Sequence, residues 1–304
     1  MPTITLTGMG APRTPRIFVQ IPAYRDRELE PTLWSLYRKA AFPARLRTVV
    51  LWQREPDDPD LRDVRDLPGL TIVEAAAAVS AGPNWARHQI QELADGEDYT
   101  LLLDSHMRFV KHWDTTVIGM LEALRRRGVA KPILTSYLPA YVPGQSRGSW
   151  GNQPYKIYPL SRDEGVLTRL TSHPLHEWSA LEGPVVGEYF SLHFAFTDGA
   201  FNREVPHDPH LYFFGDEVAL GLRAYTFGWD MFHPHRVLGW HAYSRSSRVP
   251  HWDEHVEWGE AHRRTLARLR LLFNARPELA HLRGTARSVA DYEQFIMQDL
   301  VAAR

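Results

Sequence analysis

Tyr99-Thr100-Leu101-Leu102-Leu103-Asp104-Ser105-His106 is the stretch on which the reading of the fold turns. Five uncharged residues rich in branched and aromatic side chains are what a strand covered on both faces requires, and an acid and an imidazole follow them directly. Strands of that kind belong to parallel sheets flanked by helices, in which ligands bind beyond the carboxyl ends of the strands. Side chains two apart in an extended chain point the same way, so Asp104 and His106 face one ligand together.

The same alternation extends outward on both sides. Upstream, a buried strand is expected over 16–22 and a helix over 28–40, with Leu29, Leu33, Leu36 and Tyr37 on one face. Strands over 46–53 and 70–74 follow, separated by an acidic, proline-bearing loop, and then a helix over 84–94. Downstream, a helix is expected over 113–127, its basic last turn suited to a helix C-terminus, and a strand over 132–137. The region 138–182 is rich in Pro, Gly, Ser and aromatics and has no period, so it reads as an irregular excursion with short strands, placed to form a substrate surface. Regularity resumes at 189–196, with a helix over 216–227, a strand near 237–240 and a helix over 254–273. The class is therefore α/β, a mostly parallel central sheet with helices on both faces. The expected organisation is a leader over 1–15, one domain over 16–253, and a helical extension over 254–304 packed on that domain.

Composition narrows the partners. Lys and Arg number 35 against 36 Asp and Glu, a formal charge of -1, which gives no global attraction for nucleic acid. The absence of cysteine excludes disulfides, thiolate metal sites and a cysteine nucleophile. No charged start followed by an apolar stretch marks a secretory signal, and no apolar run approaches the ~20 residues of a spanning helix. A cytoplasmic protein without a membrane span is expected.

An acid paired with an imidazole suits a divalent ion such as Mn²⁺ or Mg²⁺, with phosphate oxygens and water in the remaining positions. The spacing alone is not specific, because Asp-x-His recurs at Asp208-Pro209-His210 and Asp253-Glu254-His255, and Asp58-Pro59-Asp60 gives a paired acid. Only Asp104 and His106 end an apolar strand. A third ligand is expected at His241, which closes the apolar stretch Val237-Leu238-Gly239-Trp240-His241 in the same way. Of the 15 histidines only His88, His106 and His112 precede His173, which leaves open a zinc site from His233, His235 and His241. Solvated or hydrogen-bonded side chains are the simpler reading of His233, His235, His251 and His262.

Several segments taken in order are more specific. They are Ile17 to Asp26 (IFVQIPAYRD) with Pro31-Thr32-Leu33, Gly82 to Arg87 (GPNWAR), Gly96 to Tyr99 leading into Asp104 to Val110 (DSHMRFV) with Trp113-Asp114, and Arg203 to Leu211 (REVPHDPHL). Phe214-Gly215-Asp216-Glu217, Arg223, Gly228-Trp229-Asp230 and His241 complete the series. Together they resemble a GlcNAc-transferase family typified by the enzyme that modifies hydroxyproline on a cytoplasmic ubiquitin-ligase subunit. More distantly they are similar to the polypeptide GalNAc transferases.

The resemblance implies a GT-A fold, a UDP-sugar donor (UDP-GlcNAc), retention at the anomeric carbon, and a metal held by Asp104, His106 and His241. The sequence departs from the family at Asp216, where glutamate is more usual, and 138–182 does not align. Tyr24, Arg25, Arg87, Asp104 and Ser105 are the candidate donor-binding residues, since Arg25 and Arg87 lie near strand and helix ends where they can reach a diphosphate. Asp216 and Glu217 are the candidate catalytic acids, although acids at a helix start also complement its dipole. Trp52 and Trp85 could stack on the donor, and Trp150, Trp178 and Tyr212 lie nearer the acceptor, a hydroxyl of a peptide, protein or saccharide. Two other functions fit the same residues: a metal-dependent hydrolase of nucleotide sugars or phosphoesters, and a binding protein without turnover.

Overall fold

The computed structural model describes residues 14–245 and 248–302; residues 1–13 of the expected leader lie outside the described residues. β4 (Tyr99–Leu103) is buried at every position and divides the core by the two-residue period of a strand. Leu101 and Leu103 pack in one cluster with α1 (Leu29–Lys39) and α3 (Trp113–Arg126), while Leu102 packs in another with α5 (Asp216–Thr226), α7 (Trp258–Phe273) and α8 (Val289–Ile296). Helices therefore cover both faces of one sheet, and α2 (Pro83–Gln91) joins the second face against Phe18, Val49 and Leu51.

The sheet has eight strands in the order β3-β2-β1-β4-β10-β6-β11-β9. β1 (Ile17–Tyr24), β2 (Leu46–Arg54), β3 (Leu70–Ala76) and β4 run parallel. β10 (Phe194–Asp198) lies antiparallel between β4 and β6 (Pro132–Thr135). β11 (Asp230–His233) is parallel to β6 and carries β9 (Val185–Val186) antiparallel on its outer side. A second, two-stranded sheet joins β5 (Met107–Phe109) to β12 (Gly239–His241), antiparallel, with His241 opposite Met107. Two short helices, α4 (Phe201–Glu204) and α6 (His251–Glu254), complete the set.

Three expectations are corrected. The region 138–182 contains a long antiparallel hairpin, β7 (Tyr155–Asp163) and β8 (Leu167–Pro174), rather than short strands. β7 is exposed or half-exposed except at Ile157, so no apolar alternation marks it. The strand expected over 189–196 begins only at Phe194, because the backbone before it bonds to side chains: Ser191 donates to Thr135 Oγ1 at 2.8 Å and Leu192 to Glu217 Oε1 at 2.8 Å. The helix expected over 254–273 is broken between α6 and α7, where Glu254 and His255 are drawn onto the Tyr24 hydroxyl at 2.6 and 3.2 Å. Among the described residues no helix is long and apolar enough to cross a membrane.

Candidate active site at the carboxyl end of the sheet

Where β4 ends, the chain bends sharply over residues 104–106 before entering β5, so the extended geometry expected there is replaced by a turn. The turn is pinned from α1: Thr32 Oγ1 donates to the Ser105 carbonyl at 2.8 Å and accepts from the Met107 N–H at 2.8 Å. Bending still brings the two side chains together, with His106 Nε2 3.7 Å from Asp104 Oδ2. The β5–β12 pairing then sets His241 beside them, its Nε2 3.1 Å from Asp104 Oδ2. One ligand atom from each of Asp104, His106 and His241 lies within 4.8 Å of the others.

The donor set fits a divalent cation. Burial opposes ionisation of Asp104, but the hydrogen bond from His241 and the positive charge of Arg87 help to outweigh it, and the carboxyl lies well below its usual range. Burial likewise keeps His241 well below the usual histidine value, hence neutral. His106 Nε2 is buried and has no hydrogen-bond partner, as an atom reserved for a ligand would be. A carboxylate and two imidazoles suit Mn²⁺ or a similar ion. By contrast, His233 is not drawn toward His241; its Nδ1 lies 2.7 Å from the Thr135 carbonyl, and no group of His233, His235 and His241 forms among the described residues.

The facing wall is the first turn of α5. Gly215 precedes it at φ +88°, and a Cβ there would lie 2.4 Å from Leu269 Cδ1, so only glycine lets the chain enter α5 this close to α7. Asp216 accepts from Asn84 Nδ2 at 3.1 Å, and Arg87 spans the floor, 3.5 Å from Asp216 and 3.1 Å from Asp104. Glu217 accepts from the Tyr137 hydroxyl and from the Leu192 N–H. Burial, then the neighbouring Asp216 charge, push Glu217 up to about 8, and burial also raises Asp216. The two acids and the candidate metal-binding group thus line one cleft of about 420 Å³.

Tyr24, Arg87, Asp104, Ser105, His106, Asp216, Glu217 and His241 all line this cleft. Arg25 does not: Asp58 and Glu254 hold its guanidinium at the rim. Trp52 is buried in the core, and Trp150 packs on Tyr141 and Trp240. The sequence reading passes over Tyr137, His193, Arg248 and Trp252, which also line the cleft. Tyr137 is the last residue of an expected strand, and the strand-end rule that selects Asp104 would have found it. His193 carries no such signal. Its ring stacks on His241, centroids 4.2 Å apart and planes at 2°, and on Tyr137 at 4.5 Å, forming a column of rings from His241 to the residue that donates to Glu217.

Comparisons with known proteins agree with this architecture. The family described as Glycosyltransferase (GlcNAc) matches residues 16–68 and 69–301. No curated protein matches the sequence. Among solved structures, S. aureus TarS 1-349 in complex with UDP-GlcNAc is similar with a TM-score of 0.56 and 14% identity, over 92% of this chain and 70% of that one. GalNAc-T7 with UDP, GalNAc and Mn²⁺ is similar with a TM-score of 0.61 and 11% identity, over 93% of this chain and 57% of that one. At such identities the likeness speaks for the fold, which is that of the GT-A glycosyltransferases. With the family match spanning nearly all of the described residues, the chain belongs to the GlcNAc glycosyltransferase family.

Proposed function

We propose that this protein is a metal-dependent, retaining glycosyltransferase that moves GlcNAc from UDP-GlcNAc to a hydroxyl of a peptide, protein or saccharide. The observation that carries the reading is the convergence of Asp104, His106 and His241 on one point of the cleft, opposite Asp216 and Glu217. Family membership supports the sugar, and the UDP-GlcNAc and Mn²⁺ of the two similar structures support donor and metal.

Transfer breaks the bond between the anomeric carbon and the diphosphate and forms one to the acceptor oxygen. A bound Mn²⁺ or Mg²⁺ stabilises the negative charge that accumulates on the departing diphosphate. Arg87, a buried cation on the floor between Asp104 and Asp216, adds to that stabilisation. With retention the acceptor enters on the side from which the diphosphate leaves, so a diphosphate oxygen can take the hydroxyl proton. Glu217, fixed by Tyr137 and Leu192, then orients the acceptor or faces the charge on the anomeric carbon. An inverted product would instead make Asp216 or Glu217 the general base.

The test is incubation with Mn²⁺ and a panel of UDP-sugars, reading UDP release and the anomeric configuration of the product. Turnover with UDP-GlcNAc that chelator abolishes supports the proposal. Fast, acceptor-independent cleavage would identify a hydrolase, UDP binding without turnover a binding protein, and full activity in Asp104→Ala would remove the metal assignment.

A further inference from the structure

The turn that carries His106 is held by a residue with no role in the reading above. Asp26 lies just beyond β1, with its side chain 1% exposed. Three donors converge on it. Its Oδ1 accepts from the Glu28 N–H at 2.9 Å, and its Oδ2 accepts from the Ser105 hydroxyl at 2.6 Å and faces His106 Nδ1 at 2.7 Å. Two of these donors carry their hydrogen whatever His106 does, and an ionised carboxylate can only accept. The third contact is therefore a hydrogen bond from His106 Nδ1–H, which in a neutral ring leaves Nε2 without a proton. That nitrogen is the buried, unpartnered atom of the metal-binding group.

We propose that Asp26 is a positioning residue that fixes His106 in the Nδ1–H tautomer and aims its bare Nε2 at the divalent cation. A carboxylate behind a metal-ligating histidine sets the orientation of the ring and makes the free nitrogen a stronger donor to the metal. The inference rests on the reading of Asp104, His106 and His241 as a metal site. It adds a fourth residue, contributed by the loop between β1 and α1 rather than by the strand ends that supply the ligands. Asparagine cannot replace the carboxylate. If its oxygen stays on the Glu28 N–H, its NH₂ faces His106 Nδ1 and drives the ring to the Nε2–H tautomer. If the amide is reversed, its NH₂ opposes the Glu28 N–H.

The experiment is nitrogen NMR of metal-free protein labelled at histidine, with His106→Gln for assignment, alongside Mn²⁺ affinity read from the spin-resonance signal of the free ion. Wild type is expected to show His106 protonated at Nδ1 and bare at Nε2. Asp26→Asn is expected to shift it toward Nε2–H and to lower Mn²⁺ affinity about 10–100-fold, the usual effect of losing such a partner. A residue that only supported the fold would lower thermal stability without moving the tautomer. The proposal is overturned if Asp26→Asn keeps both the tautomer and the Mn²⁺ affinity of the wild type. If Asp26→Asn does not fold, the wild-type spectrum still decides, since an Nε2–H tautomer there would overturn the proposal. Ser105→Ala, which leaves the Asp26–His106 contact in place, should retain Nδ1–H. Should wild type bind no Mn²⁺, the metal reading fails on its own, while the tautomer shift continues to test the control of His106 by Asp26.

Discussion

Glu217 is a side chain whose protonation the cleft alters within the ordinary pH range, and the sign of the effect is testable. Burial and the Asp216 charge raise it from 4.5 to about 8 in the folded protein. A raised carboxyl favours the native state while protonated, so its contribution is complete below about 4.5 and is lost as the pH climbs through about 8. Glu217→Gln fixes the neutral form. In metal-free protein its melting temperature should match wild type near pH 4 and exceed it by a few degrees at pH 9; with Mn²⁺ added, kcat at pH 9, where Glu217 is ionised, should fall about 10²–10³-fold, the scale of losing a charge-stabilising group. Equal melting temperatures at both pH values would show that Glu217 ionises normally. His193 offers a second test. Ring stacking of the kind it makes with His241 is worth about 0.5–1.5 kcal/mol. His193→Ala should therefore weaken Mn²⁺ binding about 2–10-fold by titration calorimetry, and His193→Phe should recover most of it, whereas a His193 that ligates directly would not be rescued by Phe.

Among the elements, the entry to α5 is the least tolerant. A side chain at Gly215 meets both a left-handed backbone at φ +88° and the Leu269 methyl, and these are independent costs. Gly215→Ala should lose about 1–3 kcal/mol in urea unfolding and, by displacing Asp216 and Glu217, lower kcat without comparable change in Mn²⁺ affinity. A coupled loss of metal binding would mean that the two walls of the cleft move together. The elements legible in the sequence share one property. β1, β2 and β4 are buried nearly throughout and α1 buries a single face, so their hydrophobic patterns repeat their geometry. β5 and β12 have three residues each, too few for any period, yet their pairing delivers His241 to Asp104. The three residues of the candidate metal site were thus visible near strand ends, while the means of bringing them together was not. Asp26 was invisible for another reason: its role arises from Ser105 and His106, about 80 positions away.

At the scale of the whole molecule, the cleft joins two layers of core that the sheet otherwise separates. The turn carrying His106 is pinned by Thr32 of α1, on the layer of α1 and α3, while Asp104 meets Arg87 of α2, and Asp216 and Glu217 belong to α5, which packs with α7 and α8 on the opposite layer. The C-terminal helices are part of that second layer: Tyr292 of α8 is fully buried and its hydroxyl donates to the Glu188 carbonyl at 2.9 Å. Burial shared in this way predicts one cooperative thermal transition, and a ligand that touches both layers should raise its midpoint without splitting it. At a concentration ~100 times Kd, the stabilisation is about 2.7 kcal/mol, which for a chain of this size is a rise of several degrees. Differential scanning calorimetry with UDP and Mn²⁺ together should show that single, upward-shifted peak, and Asp104→Ala should lose the Mn²⁺-dependent part of the shift. Two separated peaks would show instead that α7 and α8 unfold apart from the sheet, and a ligand shift confined to one of them would show that the cleft is built on one layer alone.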